Sequence, residues 1–114
     1  MSKPSERAVA GMFFALGDAT RLSVVRKLGA GGALSATSLA DGAEVTRQAI
    51  VKHLQVLEGA GLVTHEKRGR EVLYAINPGG LDDARAFLDH VSASWDRAIE
   101  RLRALVEEPP PRRQ

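Results

Sequence analysis

The sequence contains no cysteine. That single absence removes disulfides, thiolate zinc sites, iron–sulfur clusters, thiol redox sensing and a cysteine nucleophile. Aromatic residues are scarce: three Phe, one Tyr and one Trp are only 4% of 114 residues, so the core is aliphatic and few rings remain for stacking on single-stranded nucleobases. No apolar run approaches the roughly 18 to 20 residues of a membrane span, and Met1-Ser2-Lys3-Pro4-Ser5 lacks the apolar stretch of a signal peptide. These features point to a cytoplasmic protein with no membrane partner. A large excess of one charge is missing too. The formal net charge is +2, so any contact with nucleic acid must be local rather than a uniform basic coat.

What is present describes one small globular domain. Hydrophobic residues are 44% and charged residues 26% of the chain, the balance of a protein that packs a core. Helical spacing of Val9, Met12, Phe13 and Leu16 marks a first helix, and Gly17-Asp18 ends it and caps the next. The second helix is expected over 18–28, with Leu22, Val25 and Leu28 inward, closing at Gly29 into a Gly-rich connector. That connector follows a helix and lacks a Gly-Lys-Ser/Thr ending, so it is no phosphate-binding loop. Ser35 caps a short helix over 36–41 with Leu39 and Ala40 inward. Thr46 caps a longer one over 47–60, whose buried stripe is Ile50, Leu54 and Leu57. Gln48, Lys52 and Gln55 fall on the opposite face with Arg47 at the tip, side chains of the types that reach base edges and phosphates.

Two strands follow, 62–67 and 71–76, joined by a turn at Arg68-Gly69 and stopped by Asn77-Pro78-Gly79-Gly80. Lys67, Arg68 and Arg70 make the tip of this β-hairpin positive. Leu81, Ala84, Leu88, Val91, Trp95, Ala98, Leu102 and Leu105 then alternate in steps of three and four, the seam of one long packed helix. Such a helix is about 40 Å long. A domain of this size has a radius of gyration of about 13 Å, so a partner chain must cover part of the seam. Phe87 and Ile99 widen the stripe.

Short helix, turn, longer polar-faced helix and basic hairpin, in that order, describe a winged helix-turn-helix. The run Phe14-Ala15-Leu16-Gly17-Asp18-Ala19-Thr20-Arg21-Leu22, the stretch from Thr46 through Lys52-His53-Leu54 to Val63, and Gly69-Arg70-Glu71-Val72-Leu73-Tyr74 resemble the ArsR family of bacterial transcriptional regulators. The resemblance covers about residues 8 to 105 and implies a mainly α fold with one β-hairpin, in the order α-α-α-α-β-β-α. It implies a homodimer through the first and last helices, with Val9, Met12, Phe13, Leu88, Val91, Trp95 and Leu102 in the interface. It also implies paired recognition helices in successive major grooves of double-stranded operator DNA. Carried over by position, Thr46, Arg47, Gln48, Val51, Lys52, His53 and Gln55 face DNA, and Lys67, Arg68 and Arg70 form the wing. Val51 stands where many relatives carry a small hydroxyl residue, and Glu44 where the turn often has Gly.

The family's metal sensors use a cysteine pair near the third helix, or carboxylates with two histidines on the last. Neither set is here: 35–41 has no cysteine, and the last helix holds His90 alone, with Asp89 adjacent but not on its face. The sequence is closer to the metal-independent branch, whose last helix carries a Trp where Trp95 stands, and no cofactor is expected. Such members are pure repressors or answer to an unidentified small-molecule inducer. No catalytic constellation is present, because His65-Glu66 is not followed by a zincin pattern and no nucleophile elbow occurs. The expectation is a repressor that binds an inverted repeat as a homodimer without a metal. Its alternatives are a sensor of a metal or small molecule at the dimer interface and a non-DNA protein-interaction module. The expected organisation is a flexible N-terminus over 1–5, a DNA-binding and dimerisation domain over 6–106 and a disordered Pro/Arg tail over 107–114.

Overall fold

The computed structural model describes residues 5–107. The expected flexible start and Pro/Arg tail therefore lie outside the described residues, save at Ser5 and Glu107. Ser5 is the cap of α1 (Glu6–Leu16), its hydroxyl accepting the Ala8 N–H at 3.1 Å. Each of the next three helices starts the same way. Asp18 caps α2 (Ala19–Gly31), Ser35 caps α3 (Ala36–Ala40) and Thr46 caps α4 (Arg47–Gly59), each side chain accepting an N–H three residues on. These caps satisfy donors that a helix start otherwise leaves orphaned.

Two details of α2 differ from the sequence reading. The helix does not close at Gly29 but continues through Gly31, and Gly32 ends it by donating its N–H to the Leu28 carbonyl at 3.1 Å. Its buried stripe is Val24 and Leu28, while Leu22, expected inward, is 52% exposed. The Asp18 cap fixes the phase of the helix, and in that phase Leu22 lies about half a turn away from Val24.

The sheet has three strands in the order β1-β3-β2, all antiparallel: β1 (Leu34–Ser35), β2 (Val63–Arg68) and β3 (Glu71–Ile76). The hairpin runs in register from Val63↔Ile76 to Arg68↔Glu71, leaving Gly69 and Arg70 as its two-residue turn. Gly69 has φ +60° and Arg70 has no positive φ, as a hairpin turn with a strained first central residue requires. The third strand was not expected. β1 is two residues long, too short for an alternating pattern, and forms because β3 offers it a free edge at Tyr74 and Leu73.

Leu28, Leu39, Ile50, Leu54, Leu57, Leu62, Val24 and Val63 are buried in an aliphatic core, with Tyr74 from the sheet at its edge. Beyond the hairpin, Asn77 Nδ2 donates to the Gly61 carbonyl at 2.8 Å and the Asn77 N–H donates to the Leu62 carbonyl at 3.0 Å. Gly80 passes so close to Gly61 that a Cβ there would collide with the Gly61 carbonyl oxygen. This corner fixes where the last helix begins.

The chain divides into two units, one up to Ala84 and one from Arg85. α5 (Asp82–Glu107) starts in the first and makes up the described part of the second. Asp82 and Asp83 in its first turn complement the helix dipole, and Arg103 lies 3.2 Å from Glu100 near its end. Along this helix Leu88, Trp95, Ile99, Leu102, Leu105 and Val106 are all exposed, and Trp95, Ala98, Ile99 and Leu102 line a shallow apolar depression. Among the described residues no single helix is long and apolar enough to cross a membrane.

Candidate nucleic-acid interface

α4 separates its residues cleanly. Ile50, Leu54 and Leu57 are buried, whereas Gln48, Lys52 and Gln55 project into solvent on the opposite side. These three are long and polar, and Lys52 has no carboxylate within ion-pair distance among the described residues. Thr46 is occupied as the helix cap, its hydroxyl accepting the Ala49 N–H at 3.1 Å.

Arg47 behaves differently from the rest of the face. Its Nε donates to the Thr37 hydroxyl at 3.2 Å, so the guanidinium lies back over α3 instead of extending from the helix tip. There it borders a cleft of about 520 Å³ lined on one side by Ser35, Thr37 and Ser38, and on the other by Arg70 and Glu71 of the hairpin. Half-buried Val51 and buried Tyr74 also line it. Two arginines from separate elements thus flank a concave, hydroxyl-rich surface, with Glu71 the acid among its lining. Neither arginine has an ion-pair partner among the described residues. Such cations can meet a phosphate without first breaking an ion pair.

The hairpin tip carries exposed Lys67, Arg68 and Arg70. Arg68 reaches Glu66 at 3.8 Å, but both side chains are about 70% exposed and a pair of that kind contributes little. At the hairpin base, His65 Nδ1 lies 2.7 and 2.8 Å from the two Glu58 oxygens, and its ring stands 5.7 Å from that of Tyr74. Glu58 belongs to α4, so this contact holds the wing against that helix. The sequence reading missed it, because the two residues are joined only when the chain turns back after Gly61.

His53 is turned away from the exposed face. It is half-buried, with Nδ1 at 3.3 Å from Arg21 Nη1 and 3.9 Å from Asp18 Oδ2. Arg21 also donates from Nε to the Ala15 carbonyl at 2.6 Å and from Nη2 to the Phe14 carbonyl at 3.3 Å. Asp18 accepts the Arg21 N–H at 3.0 Å. That backbone hydrogen bond is the main reason the Asp18 carboxyl is held below its ordinary value; partial desolvation opposes it, and the nearby His53 and Arg21 add to it. The Asp-x-x-Arg spacing puts both residues in one helical turn; in the sequence Asp18 served as a helix boundary and Arg21 as part of the family run, with no contact expected of either.

Of the residues expected between chains, Val9 and Met12 are buried within the chain and Phe13 and Val91 are half-buried. Leu88, Trp95 and Leu102 are exposed, and so is Phe14, at 67%. His90 is exposed, and no three metal-binding side chains gather among the described residues.

A helix-turn-helix domain family matches residues 16–66. The HTH-type transcriptional regulator Rv2034 of Mycobacterium tuberculosis is 37% identical over 93 residues, 82% of this chain and 83% of that protein. The HTH-type transcriptional repressor SmtB of the same species is 39% identical over 61 residues, 54% of this chain but 44% of the repressor. Among solved structures, an ArsR-like transcriptional regulator from Rhodococcus sp. RHA1 superposes with a TM-score of 0.76 at 36% identity, over 91% of this chain and 97% of that one. The homodimeric winged helix-turn-helix DNA-binding domain Mb0332 from Mycobacterium bovis gives 0.59 at 28% identity, over 89% and 95%.

Proposed function

Since this chain belongs to the ArsR family of winged helix-turn-helix, DNA-binding transcriptional regulators, we propose that it is a metal-independent repressor, acting in the cytoplasm, that binds an inverted-repeat operator as a homodimer. Residues 6–106 are the functional domain in this reading. The observation that carries it is the grouping in one unit of the exposed Gln48, Lys52 and Gln55 face with the Arg47 and Arg70 cleft. Gln48 and Gln55 have the amide geometry for adenine edges, while Lys52, Lys67, Arg68 and Arg70 suit phosphates. Arg47, turned into the cleft, serves the backbone rather than the bases, and Val51 beside it lines the same wall.

Dimerisation is supported by the exposed apolar residues of α5, which are costly to leave in water. On α1 the contact moves from buried Val9 and Met12 to exposed Phe14 with its neighbour Phe13. Metal independence is supported by donor chemistry: the chain has no cysteine to supply a thiolate, and its last helix carries His90 without a second histidine.

Fluorescence anisotropy with the duplex upstream of its own gene tests the reading. Wild type should bind, chelator should leave the affinity unchanged, and Arg47→Ala and Arg70→Ala should each lower the salt slope by about one unit. Gln48→Ala should keep the slope and broaden the preferred sequence. A wild-type protein that binds no duplex, or both Arg variants with an unaltered slope, refutes the assignment.

A further inference from the structure

Three polar side-chain ties hold α4, each to a different element. Arg47 reaches Thr37 on α3, Glu58 reaches His65 on β2, and His53 reaches Arg21 at the corner of α1 and α2. The outer two lie near the helix ends, and the His53 tie lies between them. Ile50, Leu54 and Leu57, all buried, fix how deeply α4 sits and which face it turns inward, and the polar ties add directional restraints to that setting. A hydrogen bond is directional. Side-chain atoms stand about 5–6 Å from a helix axis, so a roll of about 20° displaces them by about 2 Å, enough to break base contacts.

We infer that Arg21 is a positioning residue that sets the roll of the recognition helix through His53, and that His53 itself touches no DNA. This rests on the reading of α4 as the DNA-binding helix. Arg21 is suited to the task because its own guanidinium is fixed. Nε and Nη2 are anchored on the Ala15 and Phe14 carbonyls at the end of α1, the Phe14 carbonyl also accepting the Gly17 N–H, and its carbon lies 5.8 Å from the Phe14 ring centre. Nη1 is then directed at α4. Arginine has no acceptor, so His53 Nδ1 accepts and the imidazole proton resides on Nε2. Asp18, 3.9 Å from the same nitrogen, is the competing partner: a ring with its proton on Nδ1 would turn to that carboxylate and release Arg21.

Two measurements test this on the full chain. ¹⁵N-resolved imidazole spectra of wild type should show His53 with Nδ1 unprotonated, and Arg21→Gln should abolish that bias; a wild-type Nδ1–H overturns the tie whether or not the protein binds DNA. Anisotropy then tests its consequence. His53→Leu, with a melting temperature near wild type, should bind the operator about tenfold more weakly, the loss expected of one hydrogen bond to a charged group. Its affinity for unrelated duplex and its salt slope should be unchanged. His53→Asn, whose carbonyl stands near the Nδ1 position, should restore binding. Wild-type operator affinity in His53→Leu, equal losses on both duplexes, or a lowered salt slope overturns the positioning role. Should His53→Leu fail to fold, Arg21→Lys, which keeps the charge and loses the fork, must show the same selective loss. A wild type that binds no duplex refutes the DNA reading instead.

Discussion

Asp18 shows how one carboxylate can start a helix and bias its neighbours. Its folded-state acidity is raised chiefly by the Arg21 N–H, so the ionised form is stabilised in the native chain relative to the unfolded one. The sign follows from linkage. A depressed carboxyl value contributes stability above the unfolded value of about 3.9, and that contribution disappears as pH falls through the lower folded value. Asp18→Asn keeps a competent cap but cannot titrate. In thermal melts from pH 7 downward, wild type should exceed Asp18→Asn near neutrality, and the difference should close in the acid range below about pH 4. A difference that stays constant across that range would show that the charge of Asp18 is irrelevant. At this scale the sequence was informative about type but not direction. His53 shares its helix with Lys52, and adjacent residues lie about 100° apart, so a boundary shift or a single polar partner decides which faces DNA. The partner, Arg21, is 32 residues earlier, beyond the reach of periodicity.

Elements with both a cap and a full period were legible. α4 and β3 lie where spacing and punctuation put them, because Thr46 and the stop at Asn77-Pro78 fix their limits chemically, whereas α1 followed from its period alone and its cap, Ser5, was expected in the flexible start. β1 was not legible, since two residues carry no period and become a strand only against β3. α2 overran its expected end because neither Gly29 nor Gly31 leaves the right-handed region, and its phase came from a cap rather than from Leu22. The hairpin depends on Gly69, where a Cβ would meet no atom within 4 Å yet φ is +60°. The cost of substitution is therefore conformational, about 1–2 kcal/mol for an L-residue. Gly69→Ala should speed amide exchange in β2 and β3 by about tenfold while leaving the core of α4 protected. Uniform acceleration throughout the chain would mean that the wing is not a separable element.

For the whole molecule, the decisive feature is α5, on which Ala84 alone is buried while Trp95 is 68% exposed and Leu105 79% exposed. A charge at Trp95 leaves the core around Leu54 and Leu57 untouched. In the proposed dimer it would be an unpaired carboxylate in an apolar seam, at a cost of several kcal/mol. Trp95→Asp should therefore sediment as a folded monomer at micromolar concentration, with wild-type helix content. Persistence of the dimer would move the interface elsewhere. Such a seam has a genetic consequence. When a surface meets a second copy of itself, one codon change alters two places in the contact at once, so its energetic effect is doubled. After a gene duplication, a few substitutions along α5 would then suffice to stop the two products from mixing. Each could acquire its own operator without poisoning the other.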